Sequence, residues 1–251
     1  MKKAILALAC VATAMSMSAQ RASDSDLSYS EIKSYNRIGI SYNNTHYGFN
    51  DAYGKDHDDN NFGLNGIGID YIHGFALSES LPIYLETGLN FNFNFGTKSG
   101  DKEDIGYKDY WMQSKTKRQD INMQIPVNFG YKFAVSEDAS IMPYVGLNFK
   151  VHFSTRYKDD SDTNMPKDMY DPEDADWISV FDDGDDAMGD KDYTWNRFQM
   201  GWHVGVGFQY KPIYLGVQYG TDFIGAYKHK FDDETAKIST GNLKISLGYV
   251  F

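Results

Sequence analysis

The chain has 251 residues, a formal net charge of −11 and a mean hydropathy of −0.52. After the first twenty residues no stretch reaches the ~18 uninterrupted apolar residues that a membrane helix needs, which argues against a helical membrane protein. The acidic balance opposes nucleic-acid binding, and with Cys10 as the single cysteine the chain can form no internal disulfide.

The beginning of the chain has the features of a secretory signal peptide. Two lysines precede an apolar run over residues 4–14, and small residues then lead to Ala19. We predict a signal peptide over residues 1–19, cleaved after Ala19. A lipid-modified Cys10 is the alternative, but the apolar run before this cysteine is too short for a lipoprotein signal.

Eight later segments alternate apolar residues with small or polar ones, and this period of two predicts strands with one apolar face. In the third segment the apolar face carries Phe91, Phe93 and Phe95, and the positions on the other face beside them are asparagines. A strand with one face toward lipid and the other toward a polar lumen explains both the phenylalanines and the asparagines. The predicted strands span residues 37–44, 66–71, 84–95, 120–132, 145–153, 198–210, 213–219 and 242–251.

The connections between these segments alternate between long and short, which is typical of an outer-membrane barrel with its short turns and both termini in the periplasm. We therefore predict an all-β, eight-stranded antiparallel up-and-down transmembrane β-barrel over residues 37–251, located in the cell outer membrane. A polar periplasmic lead-in over residues 20–36 precedes it. Residues 97–118 and 156–196 are predicted to be polar loops, and Pro126 is interpreted as a bulge or local kink within the fourth strand.

The last residues support this interpretation. Ser246, Gly248, Tyr249 and Phe251 match the polar, glycine, apolar and aromatic positions of the signal that the barrel assembly machinery reads. With the eight alternating segments, the chain resembles the PorT-like family of outer-membrane β-barrel domains over nearly all of its predicted mature length. The resemblance implies outer-membrane lipid and lipopolysaccharide as partners, and the assembly machinery during biogenesis. Such relatives include structural barrels, adhesion-linked barrels, narrow pores and lipid-modifying enzymes, so the fold alone does not select a function.

Four charged residues are predicted to point into the lumen near the periplasmic end: Arg37, Asp70, Glu86 and Lys132. Their charges sum to zero, and buried charges are costly unless paired. We therefore expect a polar plug with Arg37–Asp70 and Glu86–Lys132 as the pairs, because these residues lie on sequential strands. The alternative is a gate or an ion path.

His152 and Ser154 lie two residues apart, a spacing that suggests a lipid-deacylating barrel enzyme. The alternation directs both side chains into the lumen, away from lipid, and the sequence places no obvious carboxylate beside the histidine. We therefore interpret His152, like His203, as a hydrogen-bonded lumen residue.

The segment 156–196 contains 14 acidic and 4 basic residues and so carries about −10 of the net charge of −11. Within it, Asp182 to Asp186 suggests a calcium site. The run does not match an EF-hand, and a solvated acidic loop is the alternative. The apolar residues Trp177, Ile178, Val180 and Phe181 are expected to enter the barrel mouth or contact a partner.

These observations favour a non-enzymatic outer-membrane barrel without a cofactor, acting through its exterior loops or as a structural component. A narrow channel for ions or small solutes is the alternative, and a lipid-modifying enzyme is a third hypothesis.

Overall fold

The computed structural model describes residues 32–50, 61–170, 175–181, 195–224, 226–231 and 234–251. The predicted signal peptide, most of the predicted lead-in and the Asp182 to Asp186 run lie outside these residues. Within them, no helix is long and apolar enough to cross a membrane.

The described residues form strands joined by turns. Eight long strands are β1 Tyr35–Asn50, β2 Phe62–Ala76, β3 Ile83–Asp104, β4 Trp111–Tyr131, β6 Ala139–Thr163, β8 Phe198–Tyr210, β9 Ile213–Ile224 and β11 Glu234–Val250. Three short strands are β5 Phe133–Ala134, β7 Ile178–Ser179 and β10 Tyr227–Phe231. All pairings are antiparallel, and the long strands pair in chain order.

The sheet closes into a ring because β11 pairs with β1. The seam continues past the strands, where the N–H and C=O groups of Asn36 and Phe251 exchange two hydrogen bonds of 2.9 Å each. The predicted eight-stranded antiparallel barrel is confirmed. We call the end with both described termini and the short turns the lower end, and the end with the long connections the upper end.

The two faces of each strand differ as the alternation predicts. On β3, Phe91, Phe93 and Phe95 face outward and are 40–54% exposed, whereas the asparagines between them are buried in the lumen. Aromatic residues also mark both ends of the outer apolar surface. Exposed members are Phe75, Phe129, Tyr210, Tyr249 and Phe251 at the lower end, and Phe95, Phe153, Phe198 and Phe223 at the upper end. This arrangement matches the aromatic girdles of transmembrane barrels.

In the described strands, two β-bulges each contribute a phenylalanine to the upper girdle. The register between β4 and β6 shifts so that Phe153 is an extra residue on β6, and Phe223 is an extra residue on β9. Each bulge adds an outward phenylalanine directly after a buried inward residue, His152 or Asp222. At Pro126 the β3–β4 ladder is interrupted, because proline lacks an N–H group. The ladder resumes in the same register on the other side of Pro126. Of the two interpretations of Pro126, the bulge is therefore wrong, and the local kink stays a prediction.

Three strands continue well above the girdle, where the sequence predicted polar loops. The upper parts of β3, β4 and β6 form a three-stranded sheet that we call the arm, over residues 96–104, 111–118 and 156–163. Its outward face carries mostly polar residues, so the apolar alternation that reveals a strand is missing. Cross-strand pairs stabilise it instead: Lys117 Nζ lies 2.7 Å from Asp160 Oδ2, and Lys115 Nζ lies 2.6 Å from Asp162 Oδ2.

We predict that Leu89→Arg and Thr97→Arg differ sharply in their cost, although both side chains face outward on β3. Leu89 lies near the middle of the apolar band, where a charge costs about 2–4 kcal/mol, and Thr97 lies above it, where the cost falls to about 0–1 kcal/mol. Urea unfolding of barrels refolded into lipid vesicles measures both values. Equal destabilisation by the two substitutions would place the boundary of the band elsewhere.

A second prediction concerns the arm. The hydrogen bond from Lys117 lowers the pKa of Asp160, so the pair stabilises the arm above that pKa and is lost as the pH falls through it. Lys117→Gln should raise the pKa of Asp160 toward its ordinary value of about 3.9, as measured by carboxyl NMR in micelles. Thr97→Val is the control and should leave this pKa unchanged. An unchanged pKa in Lys117→Gln would contradict the pairing.

Candidate functional site in the barrel lumen

An apolar layer closes the upper part of the lumen. It consists of Tyr47, Phe62, Leu64, Ala226 and Ile238, with Trp195 packed against it. The rings of Tyr47 and Phe62 stack with centroids 4.5 Å apart. The Arg118 guanidinium lies 3.5 Å from the centroid of the Phe62 ring, a cation–π contact at this layer.

A second apolar layer closes the lower part. It contains Tyr84, Met142 and Tyr144, and Ile32 and Tyr35 from the start of the described chain pack against it. The Tyr35 hydroxyl donates a 2.6 Å hydrogen bond to Glu86 Oε1. This layer is therefore tied directly to the polar residues above it.

Among the described residues, three Lys or Arg ion pairs lie between these layers. Arg37 Nη1 is 2.9 Å from Glu86 Oε1, Lys244 Nζ is 2.8 Å from Asp70 Oδ1, and Lys150 Nζ is 2.9 Å from Asp222 Oδ2. All six residues are buried. Each acid also accepts a further hydrogen bond, for example from Asn128 to Glu86 at 3.1 Å and from Ser41 to Asp70 at 3.3 Å.

Each of these pairs joins strands that are separated by one intervening strand. Arg37 on β1 reaches over β2 to β3, Asp70 on β2 reaches over β1 to β11, and Lys150 on β6 reaches over β8 to β9. The residue opposite each acid on the intervening strand is a glycine: Gly74 opposite Glu86, Gly39 opposite Asp70 and Gly201 opposite Asp222. At Gly201 an added Cβ would lie 2.5 Å from Asp222 Oδ1, so this position requires a glycine.

Amides connect the charged residues across the bore. Asn43 Nδ2 donates to Asn92 at 2.8 Å, Asn92 Nδ2 donates to Asn122 at 3.0 Å, and Asn122 Nδ2 donates to Asp120 at 2.5 Å. The first of these bonds also crosses an intervening strand at a glycine, Gly68. The inner faces of the strands thus satisfy one another's polar groups.

The structure places all four residues of the predicted charge cluster on the lumen side, but the predicted pairs are wrong. Arg37 pairs with Glu86 and Asp70 with Lys244, while Lys132 Nζ donates to Gln209 Oε1 at 2.8 Å. Sequence reasoning assumed contacts between adjacent strands, whereas side chains in this narrow bore meet across a glycine on the strand between them. The role of the cluster as a plug stays a prediction.

Sequence reasoning also missed several lumen residues. Lys244 lies within the predicted strand 242–251 but was not singled out, and Asp222 lies beyond the end of the predicted strand 213–219. No sequence signal identifies the partner of either residue. The alternation does direct Lys150 on β6 into the lumen, but it does not show that Asp222 is its partner.

His152 has a carboxylate partner that the sequence did not reveal. Its Nδ1 lies 2.5 Å from Asp120 Oδ1, which also accepts a 2.7 Å hydrogen bond from Thr155. The expectation that Ser154 shares the lumen face of His152 is wrong, because the bulge at Phe153 puts Ser154 opposite the outward-facing Ile121. Among the described residues, His152 Nε2 has no hydrogen-bond partner. A His–Ser pair is therefore not assembled here.

Little space remains between these side chains. A cavity of about 20 Å³ lies beside Arg37, Asp70 and Lys244, enough for about one water molecule. In the part of the chain that the structure describes, no group of three or more His, Cys, Asp or Glu side chains is placed to hold a metal ion.

The residues of the predicted assembly signal lie on the last strand. Tyr249 and Phe251 face outward in the lower girdle with ring centroids 6.4 Å apart, while Ser246 and Gly248 are on the lumen side. Recognition of these residues by the assembly machinery stays a prediction.

Comparisons with known proteins give one family. A model described as outer membrane protein β-barrel domain matches residues 7–251. A search of curated proteins finds no match. Similar solved structures include Ail of Yersinia pestis in complex with the heparin analogue sucrose octasulfate, at 13% identity over 87% of this chain and 99% of that chain, with a TM-score of 0.33. OprG from Pseudomonas aeruginosa has 11% identity over 87% and 96% of the two chains, with a TM-score of 0.40.

We predict that Lys150→Met destabilises the barrel more than the double change Lys150→Met with Asp222→Asn. The single change leaves a buried carboxylate without its cation, which costs about 3–5 kcal/mol, whereas the double change removes both charges. Urea unfolding in micelles measures the two free energies. Lys132→Met is the control, since Lys132 is only partly buried and bonds to an uncharged amide. A double variant less stable than the single one would contradict the pairing.

Proposed function

Since the chain belongs to the family of outer membrane protein β-barrel domains, we propose that it is a closed, non-enzymatic barrel that presents its extracellular strands and loops at the cell surface. The upper end is then extracellular and the lower end periplasmic, and the protein resides in the outer membrane. The single observation that carries the proposal is the filled lumen.

Three features of the lumen support a closed barrel. Apolar and aromatic side chains form the layers at the two ends, and desolvating an ion that passes through them is costly. The charged residues between them are paired, so a permeating ion would have to displace a partner from each pair. The cavity beside Arg37, Asp70 and Lys244 has a volume of about 20 Å³, which is room for about one water molecule.

The alternative functions have less support. A narrow channel would require an uninterrupted polar path, and the layer around Tyr84 and Tyr144 interrupts it. A lipid-modifying enzyme would need its nucleophile and base together at the lipid surface, whereas His152 is buried in the lumen and Ser154 lies on the other face of β6. The surface role is therefore the proposal that the geometry supports best.

The test is conductance in planar bilayers. We expect no steady conductance from the full barrel. Removing the upper layer with Tyr47→Ser and Phe62→Ser, or the lower layer with Tyr84→Ser and Tyr144→Ser, should still give none, because the other layer seals the bore. The combination of all four substitutions should also give none, because the paired charges between the layers still fill the bore.

Each variant must show the heat-dependent gel shift of a folded barrel before its conductance is interpreted. Steady steps from the unmodified protein would overturn the closed-barrel proposal in favour of a channel. Release of acyl chains from lipopolysaccharide by the purified barrel would overturn its non-enzymatic part.

A further inference from the structure

The apolar outer face of the barrel is shortest near the seam where the ring closes. Asn36 and Asn44 on β1 both face outward, and the three outward positions between them are apolar: Ile38, Ile40 and Tyr42. On β8, by contrast, all seven outward positions from Phe198 to Tyr210 are apolar. The exposed phenylalanines of the upper girdle lie on β3, β6, β8 and β9. The upper boundary of the apolar face therefore differs around the ring.

The tilt of the strands gives the height at which β1 becomes polar. Following paired residues once around the ring from Asn36 leads back to β1 at His46, ten residues higher. Each step to the next strand thus raises a row by about one and a quarter residues. Asn44, Asn65 and Phe95 are paired in one row. Asn44 therefore lies about two and a half residues, or roughly 6 Å, below Phe95.

A hydrogen-bonded polar cluster lies at this lower boundary. Asn65 Oδ1 accepts a 2.6 Å bond from the Tyr42 hydroxyl and a 2.8 Å bond from Asn44 Nδ2. Tyr42 is paired with Ile67, and Asn65 lies two residues above Ile67, so the hydroxyl points toward the upper end. His46 is exposed on the same face, two residues above Asn44. We call Tyr42, Asn44, His46 and Asn65 the seam patch.

Two further tyrosines have the same orientation relative to the apolar centre. Tyr219 is paired with Leu243, and a Cβ added to Gly241, two residues above Leu243, would lie 3.3 Å from the Tyr219 hydroxyl. This hydroxyl therefore also points upward. The Tyr71 hydroxyl points downward, since it donates a 2.8 Å bond to Asn36 Oδ1. Tyrosines oriented in this way form the aromatic belts at membrane–water interfaces, so the seam has its own, lower upper belt.

A tilt of the whole barrel does not explain the short apolar face. Tilting would lower both boundaries on one side of the ring and leave the apolar length of every strand unchanged. At the lower end, Phe251 and Phe75 on the two neighbours of β1 are exposed in the same girdle as Tyr210. Their heights agree with that of Tyr210 to within about one residue. The lower boundary is level, so the apolar band itself is thinner at the seam patch.

We propose that the seam patch contacts the water and headgroup layer of a locally thinned bilayer, about 6 Å thinner here than on the opposite side of the barrel. Leaving the amides of Asn44 and Asn65 in hydrocarbon would be costly, whereas thinning a bilayer by a few Å costs little. These amides carry no charge, so the patch requires no particular headgroup. The inference goes beyond the proposed surface role and does not depend on whether the lumen is closed.

The test measures the depth of single spin labels in phosphatidylcholine vesicles. Cys10 in the predicted signal peptide is the single cysteine of the chain, so one introduced cysteine gives one label. His46→Cys on β1 and Phe153→Cys on β6, directly across the ring, lie at the same height to within about one residue. From the ratio of oxygen to nickel-chelate accessibility, we expect the His46→Cys label to lie about 6 Å nearer to water.

A second pair of labels separates thinning from tilt. Ile38→Cys on β1 and Val145→Cys on β6 are matched in the same way near the lower end, to within about one residue of height. We expect these two labels to report depths that agree to within about one residue, or roughly 3 Å. A tilted barrel would instead move the Ile38→Cys label by as much as the His46→Cys label.

Filling the seam patch should reverse the effect. Asn44→Leu with Asn65→Leu should move the His46→Cys label deeper, toward the depth of the Phe153→Cys label. The control, Thr97→Leu with Gln119→Leu, adds the same two side chains to the outward faces of β3 and β4 and should leave the His46→Cys label unchanged. Each variant must show the heat-dependent gel shift of a folded barrel. If the double variant fails to fold, Asn44→Leu alone should shift the label in the same direction.

Four results would overturn the proposal. One is equal depth for the His46→Cys and Phe153→Cys labels, and another is the displacement of the lower labels that a tilt requires. The third is an unchanged His46→Cys label in the folded leucine variants. The fourth is spin–spin broadening between His46→Cys labels that disappears on dilution with unlabelled barrel, because a second copy of the chain would then cover the patch. None of these results bears on conductance, so the closed-barrel proposal is tested separately.

Discussion

The narrow bore of an eight-stranded ring is the constraint on which the rest of this structure depends. Such a ring has room for its own inner side chains and little else, so every polar group placed inside must find its partner there. The glycines opposite Glu86, Asp70 and Asp222 meet this constraint, because they leave the path across one strand open to the ion pair. The pairs in turn require long cations such as Arg37, Lys150 and Lys244, which can span the intervening strand.

Outside the ring the solvent changes along each strand, and the chemistry of the residues changes with it. Between the girdles the outward residues are apolar because lipid offers no hydrogen bonds, and the backbone groups are satisfied only by ring closure. Above the upper girdle the same strands enter water, and the arm is held by its ladder and by pairs such as Lys117–Asp160. One strand, β6, therefore passes through two environments, and the bulge at Phe153 lies at the transition.

The sequence predicts the membrane part of this fold well and the rest poorly, for a physical reason. Alternation arises wherever one face meets lipid and the other meets the lumen, so strand number, sidedness and the outward position of Phe91 follow from it. The arm lacks such a contrast, so residues 97–104 were interpreted as part of a loop. Partners in the lumen depend on register, shear and bulges together. A one-residue bulge reverses sidedness, which is why Ser154 was assigned to the wrong face.

The distribution of charge has a consequence for where recognition can occur. A ligand entering the lumen would have to separate Lys244 from Asp70 or Lys150 from Asp222, leaving a buried carboxylate that its own contacts must compensate. This energetic cost favours the outer surface of the barrel over the lumen as the place where a ligand binds.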